Sequence, residues 1–182
     1  MSGMLDLLRA ATFAATAHVG QTRKGLPDPY INHPLRVAEH AAMAGLGDDA
    51  VVAALLHDVV EDSAHTWDDL RAAGFSERAI EIARLLTKWW ESGEDDAEQD
   101  KVAYYERILA DPDAVALKLL DRTDNMQDLA RIASTRREFA ERYLKKTRRE
   151  FAPLLDRCAN AYVRRVFHER LGALEGVLER RR

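Results

Sequence analysis

The chain has 182 residues, of which 47% are hydrophobic and 32% are charged, and these values are typical of one compact, water-soluble domain. Its formal net charge of −4 argues against a general nucleic-acid-binding protein, although it leaves room for a local basic pocket. No run of the sequence approaches the roughly 18 apolar residues that a membrane-spanning helix needs.

The cysteine content and the N-terminus bear on the cellular compartment. Cys158 is the only cysteine and cannot form an internal disulfide, which is typical of proteins in a reducing cytoplasm. Residues 1–6 lack the charged and apolar regions of a signal peptide. We therefore expect a cytoplasmic protein with one domain over residues 1–182, which binds neither membranes nor nucleic acid. A homo-oligomer is left open by Trp89 and Trp90, which form either a partly buried pair or an exposed interface.

Apolar periodicity and helix-ending residues predict helices along the whole chain. In chain order, the predicted helices cover residues 5–18, 34–44, 48–62, 66–74, 76–89, 100–110, 113–132, 136–155 and 159–178. Loops are expected at residues 20–30, which are rich in glycine and proline, and at the acidic residues 91–99. No stretch alternates as a strand would, and there is no internal repeat or interdomain linker. The predicted fold class is therefore all-α, a single-domain helical bundle.

The helix predicted at residues 48–62 changes from apolar to chemically active side chains near its end. His57, Asp58, Glu61 and Asp62 lie within two helical turns, where burial without partners would cost several kcal/mol, on the order of 2–7. His57 and Asp58 leave the helix about 100° apart and can still reach one ion. Glu61 and Asp62 lie one turn further and can orient water or take its proton. The alternative is a solvated helix face with a surface carboxylate pair.

Two more residues complete a candidate metal-binding set. His33 lies where a loop meets a helix, and Asp121 follows the apolar residues 114–117 on a helix face that also carries Lys118 and Asn125. Together with the His-Asp pair at 57–58, they offer two nitrogen and two oxygen ligands for one divalent metal. Taken alone, His33 would be a capping or packing histidine, and Asp121 would form an intrahelical salt bridge.

The predicted loop at residues 20–30 carries two adjacent cations, Arg23 and Lys24. Arginine can bind a phosphorylated ligand through paired hydrogen bonds or stack on a base, while lysine acts as a point charge. The loop lacks the glycine spacing of a P-loop, and a basic dipeptide in a loop is usually just solvated.

Four ordered motifs carry a family resemblance. The segments at residues 17–24, 29–34, 57–62 and 118–126 resemble those of the hydrolase domain of the RelA/SpoT family, a helical domain of the HD superfamily. The resemblance covers roughly residues 5–170, and the overall shape is similar to that of the small stand-alone alarmone hydrolases. Since the sequence ends at Arg182, we expect no synthetase or regulatory domain.

The resemblance implies Mn²⁺-dependent removal of the 3′-pyrophosphate from (p)ppGpp, which releases GDP or GTP and pyrophosphate. It also implies three groups of site residues. The metal ligands would be His33, His57, Asp58 and Asp121. The residues that position and activate water would be Glu61 and Asp62. The nucleotide contacts would be Arg23, Lys24, Lys118 and Asn125.

One segment departs from the family pattern. After Asp121 and Arg122 the family commonly has Leu-His-Asn-Met-Arg-Thr, whereas residues 123–128 here read Thr-Asp-Asn-Met-Gln-Asp. Two carboxylates, Asp124 and Asp128, are added and an arginine is missing. If they face the pocket, we expect them to repel a polyphosphate and raise the KM for ppGpp, and Asp128→Thr to lower it.

Two alternatives are left open by the residues. One is an HD phosphohydrolase of another nucleotide, such as a nucleoside monophosphate or the 2′-phosphate of NADPH, because the same ligand set would serve it. The other is a non-enzymatic helical protein that keeps a metal for stability. The presence of both Glu61 and Asp62 disfavours the second, because a structural metal site needs no water-activating pair.

Overall fold

The structure is a computed structural model that describes residues 2–88 and 97–180. The described residues form ten α-helices and no strand, apart from one isolated bridge between Thr22 and Pro29, so the all-α prediction is confirmed. The helices are α1 (Ser2–Ala17), α2 (Asn32–Met43), α3 (Asp48–Leu56), α4 (Val59–Asp62), α5 (Trp67–Ala72), α6 (Glu77–Leu86), α7 (Ala97–Leu109), α8 (Pro112–Ile132), α9 (Arg137–Arg157) and α10 (Ala161–Glu179).

Helix α8 is the centre of the packing, since it contacts α2, α3, α6, α7, α9 and α10. Its residues 114–121 are all buried, as are residues 50–56 of α3. A helix that is apolar on all sides is stable only when neighbours cover every face. Both α3 and α8 therefore run through the core, and each brings polar side chains to the same region near its buried stretch. Within the described residues, no helix is both long and apolar enough to cross a bilayer.

The helix predicted over residues 48–62 is in fact broken at His57 and Asp58. Helix α3 ends at Leu56, α4 begins at Val59, and Asp58 has φ −97° and ψ −7°. His57 Nδ1 donates to the backbone oxygen of Ala54 at 2.8 Å, which is the acceptor that the N–H of Asp58 would use in a continuous helix. The His57 side chain thus replaces a backbone hydrogen bond. The polar side chains at residues 57, 58, 61 and 62 lie at and directly after this break.

Most predicted helix ends are confirmed, and the differences have local causes. Thr66 forms the predicted capping box with Asp69, and Gly74 follows with φ +79°. Gly47 rather than Asp48 precedes α3, so Asp48 begins the helix instead of capping it. Helix α6 stops at Leu86 because the next residue, Thr87, has the extended ψ of 132°.

One predicted loop is partly wrong. Helix α7 begins at Ala97, so the loop expected at residues 91–99 does not extend over residues 97–99. Residues 89–96, which include Trp89 and Trp90, lie outside the described part of the chain.

Candidate active site

Three of the four predicted metal ligands converge at the break between α3 and α4. One ligand atom from each of His33, His57 and Asp58 lies within 4.8 Å of the other two. His33 Nε2 is 3.5 Å from Asp58 Oδ2, and His57 Nε2 is 3.3 Å from Asp58 Oδ1. Both histidines are buried, and Asp58 is half-buried. The loop–helix junction and the helix break therefore aim their side chains at one point.

The fourth predicted ligand, Asp121, borders this group from α8. Its Oδ1 lies 3.5 Å from His33 Nε2, while its Oδ2 accepts from Lys118 Nζ at 3.0 Å. Asn125, one turn along the helix, also donates to Asp121 Oδ1. Although burial opposes ionisation, Lys118 and His33 hold the pKa of Asp121 well below its ordinary value. Asp121 therefore adds a fixed negative charge beside the two imidazoles.

The residues present fit a divalent cation. The Nδ1 atoms of His57 and His33 bond to Ala54 O at 2.8 Å and Asp124 Oδ2 at 2.6 Å, so each ring turns Nε2 to the group. Within the described chain, His57 Nε2 is buried without a hydrogen-bond partner, which is costly unless a ligand is bound. His18 Nε2 shares this property, but His18 is not part of the metal-ligand group, and its ring packs against Tyr30.

The charges around His33 also favour a cation. Burial opposes protonation of its imidazole, yet hydrogen bonds from the ring to Asp121 and Asp124 raise the pKa of His33 to about 9. A site that attracts a proton so strongly also attracts a metal cation, because both are stabilised by the same carboxylates.

Tyr30 links the metal-ligand group to Asp62. Its hydroxyl lies 2.7 Å from Asp58 Oδ2 and 2.8 Å from Asp62 Oδ2. Burial and the Asp58 carboxylate raise the pKa of Tyr30 well above its ordinary value, so the phenol stays a donor. Gln21 donates to the backbone oxygen of Asp62 at 2.6 Å, and Glu61 accepts from the backbone N–H of Lys88 at 3.3 Å. The exposed Asp62 is thus anchored through its side chain and its backbone, and the exposed Glu61 is held by Lys88.

A cavity of about 330 Å³ lies beside the metal-ligand group, and Tyr30 is part of its wall. The polar and charged residues at this cavity are Thr22, Arg23, Lys24, Asn125, Asp128 and Arg136. Leu129, Ile132, Phe139 and Tyr143 supply an apolar surface. An apolar wall with a few placed cations is what a base with attached phosphates requires.

Of the four predicted nucleotide contacts, three line this cavity. Arg23 is buried, donates through Nε to Asp128 Oδ2 at 2.8 Å and through Nη2 to Asn125 Oδ1 at 2.6 Å. Lys24 is exposed, with its Nζ 6.0 Å from the ring centroid of Phe139. Lys118 is elsewhere: it is buried against Asp121 and is not a lining residue.

Asp124 and Asp128, for which repulsion of a polyphosphate was expected if they face the pocket, are both buried and paired, and Asp128 lines the cavity. The expected effect on KM stays a prediction, but the pairing lowers the charge available for repulsion. Asp124 accepts from His33 and from Arg36, whose Nε and Nη2 lie 2.5 Å and 2.9 Å from its two oxygens. Asp128 accepts from Arg23 at 2.8 Å and from Arg36 at 3.1 Å. The sequence showed two added charges but not the guanidinium groups that neutralise them.

Comparison with known families gives the site its context. A family model described as "HD domain" matches residues 10–158, which contain the metal-ligand group and all the cavity residues. The chain belongs to the HD domain family. An HD domain implies a divalent metal, and the group of His33, His57 and Asp58 is where this chain can hold one.

Several curated proteins are similar to this HD domain. The guanosine-3′,5′-bis(diphosphate) 3′-pyrophosphohydrolase of Aquifex aeolicus (strain VF5) is 33% identical over 156 residues, covering 84% of this chain and 21% of the relative. The protein of the same name from Haemophilus influenzae (strain ATCC 51907 / DSM 11121 / KW20 / Rd) is 32% identical over 155 residues, covering 83% and 22%. The chain spans about a fifth of the length of these relatives.

A solved structure confirms the fold. It belongs to a metazoan orthologue of SpoT, described as hydrolysing ppGpp, and it superimposes on this HD domain with a TM-score of 0.71. The match covers 95% of this chain and 97% of the other at 22% identity.

Three residues at the HD-domain site were not predicted from the sequence. Tyr30 lies three residues before His33 in a motif that had been recognised, so its position was a usable signal. Arg36 is one turn after His33 on α2, and its role depends on the packing of α2 against α8. Arg136 lines the cavity from the start of α9, and no local pattern distinguishes it from its charged neighbours.

Proposed function

We propose that this HD domain hydrolyses the 3′-pyrophosphate of guanosine 3′-diphosphate 5′-di- or triphosphate, giving GDP or GTP and pyrophosphate. The observation that carries the proposal is the shared wall between the metal-ligand group and the cation-lined cavity. Tyr30 lines the cavity and bonds to Asp58, and Asn125 lines it and bonds to Asp121. A nucleotide in the cavity would therefore lie next to the ligands. The choice of nucleotide is supported by relatives named for this activity.

We assign the metal to four residues and take it to be Mn²⁺. The ligands would be Nε2 of His33 and of His57 and carboxylate oxygens of Asp58 and Asp121. Two imidazoles and two carboxylates suit a first-row divalent ion. When bound, such an ion polarises a phosphoryl oxygen and makes water more acidic.

The chain's own residues would handle the water and its proton. Partial burial raises the pKa of the Glu61 carboxyl, and Asp58 adds to the rise although Lys88 opposes it. A carboxylate with a raised pKa is a better general base, so Glu61 would accept the proton of the attacking water. Asp62, fixed by Tyr30, would orient that water through its free carboxylate oxygen.

The cavity would bind the guanosine part and the charged groups through different residues. The guanidinium of Arg23 lies 5.1 Å from the ring centroid of Tyr30 and lines the cavity, and we assign it to stacking on the base. Lys24 and Arg136 are exposed, and within the described chain neither pairs with a carboxylate, so they would bind phosphates. Asn125 would contact the nucleotide next to the ligands, while we assign Lys118 to holding Asp121.

The proposal includes that a single domain over residues 1–182 performs this reaction, in the cytoplasm. The single-domain part is supported by the position of the ligand group and the cavity, which both lie within the residues matched to the HD domain.

A nucleotide screen tests the proposal. The purified chain with Mn²⁺ is incubated with ppGpp, with a nucleoside monophosphate and with NADPH, and the products are identified by mass. We expect GDP and pyrophosphate from ppGpp only. Cleavage of another nucleotide with ppGpp intact would overturn the substrate and keep the metal hydrolase. Metal binding with no turnover of any nucleotide would favour a non-enzymatic protein.

A further inference from the structure

We propose that Arg36 is a positioning residue that couples the metal site to the nucleotide cavity, by orienting His33 through Asp124 and Arg23 through Asp128. The inference rests on the proposed function in that the site binds both a metal and a nucleotide. It depends neither on turnover nor on which phosphate bond is cleaved.

The first arm of the coupling runs to the metal site. Arg36 extends from α2, and its Nε and Nη2 lie 2.5 Å from Oδ1 and 2.9 Å from Oδ2 of Asp124. This two-point contact fixes the plane of a carboxylate whose side chain is only 1% exposed. Asp124 Oδ2 in turn accepts from His33 Nδ1 at 2.6 Å. A carboxylate behind a ligating histidine sets the ring's tautomer and orientation.

The second arm runs to the cavity. Arg36 Nη2 lies 3.1 Å from both oxygens of Asp128, and Asp128 Oδ2 accepts from Arg23 Nε at 2.8 Å. Arg23 then donates to Asn125 at 2.6 Å, and Asn125 donates to the predicted ligand Asp121. The chain of contacts from Arg36 therefore reaches the metal-ligand group by two routes, one of which crosses the cavity wall.

Charge explains why an arginine is needed at this position. Asp124 and Asp128 are one turn apart on α8, and two carboxylates at that spacing repel each other. Arg36 lies between them and contacts both with one planar group, which a lysine ammonium cannot do in the same geometry. Without Arg36, Asp124 would be positioned only by His33 and Asp128 mainly by Arg23, so the two carboxylates would no longer be held in a fixed relation to each other.

The test uses Arg36→Met, which keeps the length of the stem and removes the fork, and Arg36→Lys, which keeps the charge. Arg131→Met is the matched control, because Arg131 lies 3.7 Å from Asp128 and pairs with Asp28 but does not contact Asp124. Calorimetry gives the Kd of Mn²⁺ and, with metal-free protein, the Kd of GDP. Circular dichroism confirms that each variant is folded at the temperature used.

We expect Arg36→Met to weaken Mn²⁺ binding by about 10- to 100-fold, the usual effect of removing a partner behind a metal ligand. GDP binding should weaken as well, Arg36→Lys should lose most of both affinities, and Arg131→Met should keep its Mn²⁺ affinity. In an Asp124→Asn background, Arg36→Met should add little further loss of Mn²⁺ affinity, because the two residues act in series.

Two results would overturn the coupling. One is an unchanged Kd for Mn²⁺ in folded Arg36→Met and Arg36→Lys, and the other is a loss of Mn²⁺ affinity with GDP binding unchanged. Additive losses in the Asp124→Asn background would mean that Arg36 acts by general stability and would also count against it. Failure of the proposed function is seen in a separate measurement, as intact ppGpp after incubation of the unmodified chain with Mn²⁺, whereas the coupling is judged only from the Kd values of Mn²⁺ and GDP.

Discussion

At the scale of single residues, the site depends on which atom of each side chain is free. The two histidines that we propose as metal ligands bond through Nδ1 to Ala54 O and to Asp124, and this leaves both Nε2 atoms beside Asp58. The order of the motifs along the chain made these residues predictable. The buried partner of His33 was not, because the sequence alone did not show whether Asp124 faces the pocket or pairs with another side chain.

Removing one imidazole should remove the metal. We expect His57→Ala to lose the bound divalent ion, because His57 Nε2 has no other partner within the described residues. The measurement is the metal content per chain after loading with Mn²⁺ and dialysis. His65→Ala is the control, since His65 bonds Ser63, packs on Phe13 and is not part of the metal-ligand group. Full occupancy in both His57→Ala and Asp121→Ala would exclude this site.

Glu61 should separate binding from chemistry. Glu61→Gln keeps the size of the side chain but cannot accept a proton, so kcat should fall by about 10²- to 10⁴-fold while the metal stays bound. Steady-state kinetics and metal content on the same sample check this. Glu77→Gln, an exposed change on α6, should leave kcat unaltered. If kcat is unchanged in Glu61→Gln, the general base is another group.

The structure reverses one expectation from the sequence. Asp128→Thr would leave Arg23 and Arg36 without their shared carboxylate, and removing such a charged partner costs about 1.5–3 kcal/mol. We therefore expect lower stability and a raised KM for ppGpp, measured by denaturant unfolding and steady-state kinetics. Asp28→Asn, which removes a partner of exposed Arg131, is the control. A lowered KM at unchanged stability would restore the repulsion argument.

At the scale of helices, apolar periodicity and end signals predicted nearly every element. The exception is the break at residues 57–58. It arises because the His57 side chain donates to Ala54 O, and the sequence does not show whether this side chain or the backbone N–H of Asp58 will be the donor. The pairing of Arg36 with Asp124 and Asp128 of α8 could not be predicted from the sequence either, because it depends on how α2 packs against α8. Local patterns give helices and ligand types, whereas contacts between distant helices decide how charges are paired.

The start of α8 offers a test of local stability. Asp111 caps this helix by accepting from the N–H groups of Asp113 and Ala114, both at 3.0 Å, and pairs with Arg78. We expect Asp111→Ala to cost about 0.5–2 kcal/mol of the free energy of unfolding. Asp113→Ala, which loses an Arg78 contact but no cap, should cost less. Equal losses in the two variants would show that the cap contributes nothing beyond the ion pair.

The same residue gives a pH dependence. Although partial burial opposes it, the hydrogen bonds from Arg78 and Ala114 hold the pKa of Asp111 below its ordinary value. A carboxyl with a lowered folded pKa stabilises the fold above its unfolded pKa, about 3.9, and this contribution is lost as pH falls through the folded pKa. The stability difference between the unmodified chain and Asp111→Asn should therefore narrow below about pH 4. A difference that widens on acidification would contradict the assignment.

At the scale of the whole molecule, the single helix α8 contributes residues both to the metal-ligand group and to the wall of the cavity. Asp121, Asp124, Asn125 and Asp128 follow one another on a single face of α8 at the spacing of neighbouring turns. Asp121 and Asp124 serve the metal-ligand group, while Asn125 and Asp128 line the cavity. In the proposed function, consecutive turns of this central helix would therefore hold the metal ligands and the nucleotide cavity side by side.

The most direct test of the central claim is a titration of the purified chain with Mn²⁺ while the hydrolysis of ppGpp is followed by mass. The account predicts that activity rises with bound metal and saturates at one Mn²⁺ per chain, with GDP and pyrophosphate formed in equal amounts. Intact ppGpp at full occupancy of the His33, His57 and Asp58 site would contradict it.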